Sequence, residues 1–258
     1  AKDMAPEVPH GPSPPALPGP AAQTSLPVLV LEEQARPATA PLRLALLGDS
    51  WVADWRNVDL DRHVMTSPTG AGLRAGLEAR GVAVERLLVA GFPGGQAERL
   101  VVFARYIRLQ GLAQMSERGQ SLRYGIAQTA EAAGVVVEAS DADWREDADL
   151  VIVMAGTNDL NHEAESFDVV QRLHRLWRIY SARGSQVLLV TIGTRPGLGR
   201  EWPPPDFEVQ RRSVNEMLMD HGGVVDCDAL VARLPESAWE NDWHLTPAGY
   251  LALGDLLA

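Results

Sequence analysis

The chain has 258 residues, 46% of them hydrophobic, which is enough for one large or two small domains with a sizeable buried core. Its 34 acidic and 23 basic residues give a formal net charge of -11, and no Lys/Arg cluster of the kind a phosphate-binding surface needs occurs, so no nucleic-acid partner is expected. A single cysteine, Cys227, excludes an intrachain disulfide and a thiolate-rich metal centre, and no apolar run of about 18 residues is present to form a transmembrane segment.

Residues 1–41 hold 10 of the 18 prolines with no helical or strand period between them, and they read as a disordered or polyproline-like leader, a plain tether to the folded domain. From Leu42 onward strand-like and helix-like segments alternate, so a single domain over 42–258 is expected. Leu42 to Leu47 are apolar except for Arg43, the pattern of a parallel strand buried on both faces, and the run stops at the turn-forming Gly48-Asp49-Ser50. Gly70 to Arg80 reads as a helix closed by Gly81, and Val82 to Val89 as a second strand running into Gly91-Phe92-Pro93-Gly94-Gly95. Leu100, Ala104 and Ile107 share one face of a helix over 97–110.

Residues 111–147 interrupt the pattern and are read as an excursion, with Leu122, Ile126, Ala130 and Ala133 at helical spacing and Val135 to Val137 as a short extra strand. The core resumes at Asp149 to Met154, a strand ending in Ala155-Gly156-Thr157-Asn158-Asp159, where Asp159 is read as the N-cap of the next helix. That helix carries Val170, Leu173, Trp177 and Tyr180 on one face. A strand over Val187–Ile192, a Pro-rich loop, a helix from about Asp206 and a short strand at Val224–Cys227 complete the series up to the last helix. Thr246-Pro247 opens that last helix with a capping residue and a proline at its first position, directly after His244-Leu245. The expected fold class is α/β, a three-layer α/β/α sandwich on a mainly parallel, flavodoxin-like five-stranded sheet.

Carboxyl ends of strands are where open α/β sheets hold their ligands, and Ser50, Gly94 and Asn158 all come just after core strands. His244 lies on a loop that can converge with them. The six histidines fall at 10, 63, 162, 174, 221 and 244 without metal-ligand spacing, so no metal and no cofactor is expected.

Gly48-Asp49-Ser50, the Gly91 to Gly95 turn, Gly156-Thr157-Asn158-Asp159 and His244-Leu245-Thr246-Pro247 stand in the order found in the SGNH hydrolases, also called the GDSL esterase and lipase family, and the chain resembles that family over about residues 42–258. The resemblance implies a serine hydrolase cleaving carboxylic esters, with small acyl esters, lipids or acylated carbohydrates as substrates. It implies Ser50 as nucleophile, His244 as base, and an oxyanion hole from the Ser50 backbone N–H, Gly94 and the Asn158 side chain.

One position departs from the family. Its acid stands three residues before the histidine, which here is Asn241; Asp242, one residue nearer, is the expected acid through a contraction of the loop, with Asn241 in the acid seat as the alternative and Glu240 one residue farther. An acyltransferase on the same site, or a catalytically weak relative that binds its ligand, are the competing functions. Trp51, Trp55, Phe92 and Trp202 either line an acyl or sugar pocket or serve as packing.

Overall fold

In the computed structural model, Ala45 and Leu47 contribute to one apolar cluster while Leu44 and Leu46 contribute to another. A strand that alternates between two buried faces needs a helical layer on each side. This strand, β1 (Leu42–Gly48), is the middle of the sheet. Burying each of Leu44, Leu46 and Leu47 is worth about 1.5–3 kcal/mol by transfer from water. The structure describes residues 40–52, 54–59, 64–92, 94–110, 126–129, 136–137, 148–194, 206–241 and 243–258. The leader expected over 1–41, apart from its last two residues, and most of the 111–147 excursion lie outside them.

After β1 come a two-stranded ribbon, β2 (Asp54–Asp59) and β3 (Val64–Thr66), then α1 (Pro68–Ala79), β4 (Val84–Gly91) and α2 (Ala97–Gln110). Next are two short strands, β5 (Ile126–Thr129) and β6 (Val136–Val137), then β7 (Leu150–Met154), α3 (Thr157–Asn161), α4 (Ser166–Ser181) and β8 (Gln186–Val190). The remaining elements are α5 (Phe207–Met219), β9 (Val224–Val225), α6 (Cys227–Val231) and α7 (Pro247–Leu257).

The sheet order is β6-β5-β4-β1-β7-β8-β9. Its strands β4, β1, β7, β8 and β9 are parallel, in the doubly wound order expected for a flavodoxin-like core. Strands β5 and β6 add antiparallel to the β4 edge, with Leu88 opposite Gln128. The helical spacing through Ile126 is therefore overridden: pairing satisfies the β4 edge, which a helix there would leave open. Cys227 is likewise not in a strand. β9 ends at Val225, and the Asp226 side chain accepts the Ala229 N–H, capping a helix that starts at Cys227.

On one face lie α2, α4 and α5, contributing Leu100, Leu173 and Val214; on the other lie α1 and α7, contributing Leu73, Tyr250 and Leu253. Helices α1 and α7 meet backbone to backbone. A Cβ on Gly72 would stand 1.9 Å from the Leu251 carbonyl oxygen, and one on Gly254 would stand 2.0 Å from that of Thr69, so only glycine permits the approach. Among the described residues, no helix is long and apolar enough to cross a membrane.

Candidate active site

Strand register brings three turns to one edge. Gly48 of β1 lies beside Gly91 of β4 and Met154 of β7, so the residues just beyond them, Ser50, Gly94 and Asn158, leave the sheet side by side. The turn carrying Ser50 is tightly held. The Asp49 carboxyl oxygen Oδ1 accepts the Trp51 N–H at 3.0 Å, and the start of α1 grips the turn from beyond: Thr69 Oγ1 donates to the Trp51 carbonyl at 2.7 Å and Ser67 Oγ donates to that of Val52. Ser67 also accepts the Gly70 N–H, so one hydroxyl caps the helix and docks it on the Ser50 turn.

His244 Nε2 lies 3.1 Å from Ser50 Oγ, a hydrogen-bond contact between residues 194 apart in sequence. The histidine loop is closed by its own backbone, with Trp239 bridging Leu245, the Glu240 N–H donating to the His244 carbonyl at 2.9 Å and the Thr246 N–H to the Ala238 carbonyl at 2.8 Å. Asn241 Oδ1 accepts the N–H groups of both Trp243 and His244 at 2.8 Å. This amide oxygen is committed to shaping the loop. Asp242 lies outside the described residues.

At the glycine turn, Gly94 adopts φ +71°, a left-handed conformation that glycine takes without strain. The Gly95 N–H is used by the Phe92 carbonyl at 2.7 Å, and the Gly95 carbonyl accepts from Asn158 Nδ2 at 3.3 Å. Asn158 is thereby aimed at the glycine turn with a second N–H on the same nitrogen.

Asp159 is not the N-cap of its own helix. Gly156 occupies that position, and Asp159 sits in the first turn of α3, fully buried, with Oδ2 accepting the Ala97 N–H at the start of α2 and Oδ1 bound by Arg172 at 2.6 Å. It caps a different helix across 62 residues, a role that neighbouring sequence does not display. Burial pushes its carboxyl up, against the pull of Ala97 N–H and Arg172. Burial pushes Asp49 up to about 7, opposed by the Trp51 N–H and assisted by the charge of Asp159.

Trp51 and Phe92 are packing residues: Trp51 stacks edge-on with Trp239 and Tyr250, and Phe92 with Phe103. Nothing of the Trp55 side chain or of Trp202 falls within the described residues. A surface cleft of about 400 Å³ between α5 and α6, lined by Arg212, Asn215, Glu216 and Asp228, contains none of Ser50, Asn158 or His244. Above Thr191, Asn215 holds Ile192 by both its N–H and its carbonyl, and the buried Arg211 guanidinium joins that carbonyl to Asp228 and Glu208. Sequence reading did not find this anchor, because a charged residue on a helix gives no sign of being buried. No group of three or more His, Cys, Asp and Glu side chains among the described residues is close enough to hold a metal ion.

A family model of the GDSL-like lipase/acylhydrolase family matches residues 46–252, which takes in all the turns above. The chain belongs to that family. This GDSL-like acylhydrolase is a carboxylic ester hydrolase with an α/β/α fold. It resembles the structure of LAE5, described as an alpha/beta hydrolase enzyme from the metagenome of Lake Arreo, at 17% identity and a TM-score of 0.54, with 84% of this chain and 94% of that one covered. A structure described as a putative lipolytic protein of the G-D-S-L family, from Desulfitobacterium hafniense, matches at 10% identity and a TM-score of 0.50, covering 83% of this acylhydrolase and 96% of the other chain. Both likenesses are of fold. None of the curated proteins matches the chain.

Proposed function

We propose that the chain cleaves carboxylic esters through an acyl-enzyme on Ser50. The observation that supports this most is the 3.1 Å contact between His244 Nε2 and Ser50 Oγ. A serine hydroxyl is a poor nucleophile at its own pKa and needs a neutral imidazole within hydrogen-bond reach. His244 takes the Ser50 proton as Oγ bonds to the acyl carbon, then returns it to the alcohol oxygen as the ester C–O bond breaks. Water, deprotonated by the same imidazole, releases the acid and restores Ser50.

The oxyanion is met by the Ser50 N–H, the Gly94 N–H and Asn158 Nδ2. Gly94 suits this better than Gly95, whose N–H is taken by Phe92. Asp242 is the acid that orients His244 and stabilises its protonated form. Engagement of Asn241 Oδ1 by the loop N–H groups supports Asp242 over Asn241. The substrates are small acyl esters, lipids or acylated carbohydrates.

The test is a hydrolysis screen with p-nitrophenyl esters of increasing chain length beside Ser50→Ala, with mass spectrometry after organophosphonate treatment. The adduct is expected on Ser50, and turnover in the variant should fall by orders of magnitude; an adduct elsewhere or an active variant overturns the reading. Asn158→Ala should lose about a hundred- to a thousandfold in kcat with little change in KM. Asp242→Asn should cost up to about ten-thousandfold in turnover, and a larger loss in Asn241→Ala than in Asp242→Asn overturns that assignment.

A further inference from the structure

Asp49 is fully buried beside Ser50, yet among the described residues only one of its carboxyl oxygens has a partner. Oδ1 accepts the Trp51 N–H, while Oδ2 is buried without a hydrogen-bond partner among the described residues. A buried polar atom left in that state is destabilising unless a partner is supplied. Asp49 also borders a small, partly open pocket of about 10 Å³, whose lining includes Thr157, Thr191 and Cys227. That is room for about one water molecule, and two threonines and a carboxyl supply the two to four polar partners such a water requires. Thr157 is the residue directly before Asn158. Thr191 Oγ1 already accepts the Cys227 N–H at 2.8 Å, which leaves its hydroxyl hydrogen to donate.

We propose that Asp49 is a positioning residue that couples the Ser50 turn to the Asn158 turn, Oδ1 fixing the Trp51 N–H and Oδ2 reaching Thr157 and Thr191 through one buried water. The proposal rests on Ser50 being the nucleophile. It gives the nucleophile and the oxyanion donor a common foundation beneath the sheet edge, so that the two keep their spacing as charge moves between them.

The carboxyl acts in its neutral form. Burial pushes it up to about 7, and the ionisable groups facing it are Asp159 on α3 and Cys227 on α6, neither of which offers a positive charge, with His244 beyond Ser50. A neutral carboxyl donates from Oδ2 into the cavity, whereas a carboxylate there opposes the oxyanion forming on the substrate. Turnover should therefore decline as Asp49 ionises above about 7.

Four variants test this with p-nitrophenyl acetate, reading kcat and KM separately across that pH range. Asp49→Asn keeps an acceptor for Trp51 and a donor for the cavity without the charge; its kcat should stay within about threefold of wild type below neutrality, and the alkaline decline should vanish. Asp49→Ala, which loses both links, should drop kcat about a hundredfold with KM little changed. Thr157→Val should lose about tenfold, and its loss in the Asp49→Ala background should be markedly smaller, since both act through one water. Equal losses in Asp49→Asn and Asp49→Ala, an alkaline decline that survives in Asp49→Asn, or full additivity of Thr157→Val overturns the proposal. Where Asp49→Ala does not fold, Thr157→Val combined with Thr191→Val replaces it: the second loss should be markedly smaller than the first, and fully additive losses overturn the proposal. Organophosphonate labelling separates the two readings: Ser50 labelled in a wild type whose Asp49 variants are unaffected leaves the nucleophile standing and removes the positioning role, and an active Ser50→Ala overturns both.

Discussion

Replacing Asp49 by asparagine should make the protein more stable above neutrality. The wild-type carboxyl is held near 7 in the fold against an ordinary 3.8, with burial as the main cause. A group whose folded pKa is raised contributes stability that is fully present below its unfolded pKa and is lost as pH rises through the folded value. Between 3.8 and about 7, ionisation of this one group removes about 4 kcal/mol from the native state, because each unit of difference corresponds to about 1.4 kcal/mol. Asparagine has nearly the same shape, accepts the Trp51 N–H and carries no charge. Urea unfolding of wild type and Asp49→Asn, measured below 3.8, midway and above 7, isolates this contribution because every other titrating group cancels in the difference. The two proteins should be close at the acid end, and the variant should lead by up to about 4 kcal/mol at the alkaline end. Stability curves that run parallel across the range would refute the assignment of a neutral, desolvated carboxyl at this position.

Other perturbations draw on the same contacts. Asp159→Ala removes the cap of α2 and leaves Arg172 without its buried partner, a loss of about 3–5 kcal/mol in urea unfolding, while Asp159→Asn, which keeps the Ala97 acceptor, should lose less. The His174 ring packs at a tilt against His221 with centroids 4.3 Å apart, and burial, with His221 and Arg178 next in order, pushes its pKa down. Because the neutral form is favoured in the fold, this contribution is present above the ordinary 6.5 and is lost as pH falls below it; His174→Phe should flatten that acid-side decline in thermal unfolding. Arg211→Ala strips Asp228, Glu208 and the Ile192 carbonyl of a buried guanidinium and should cost about 3–5 kcal/mol, with Arg211→Lys restoring only part, since a point charge cannot fill a planar fork of donors.

The parallel core was legible because strands buried on both faces read as unbroken apolar runs, as in Leu44 to Leu47 and Val151 to Met154, and because the turns after them carry glycine. Ser50 and His244 were legible for a related reason: each stands beside a local punctuation mark, the Gly48 turn and the Thr246-Pro247 cap. Ile126 to Thr129 was not, since four residues are too few to show a period of two against a background of helical spacing. At Cys227 the apolar Val224-Val225 outweighed the Asp226 cap signal that was present. Asp49, Asp159 and Arg211 lay beyond sequence reading altogether. Their roles depend on what the rest of the fold withholds from water, and a charged residue looks the same in sequence whether buried or exposed.

The close backbone contact of α1 and α7 at Gly72 and Gly254 works as a caliper. One jaw is the start of α1, where Ser67 and Thr69 grip the Ser50 turn; the other is the start of α7, capped by Thr246 two residues after His244. Between the jaws, at Gly72 and Gly254, no side chain is interposed to give or to compress. The opening that this instrument sets is the 3.1 Å between Ser50 Oγ and His244 Nε2, so a single methyl group added at Gly72 or Gly254, away from both side chains, would be read out as a change in that distance.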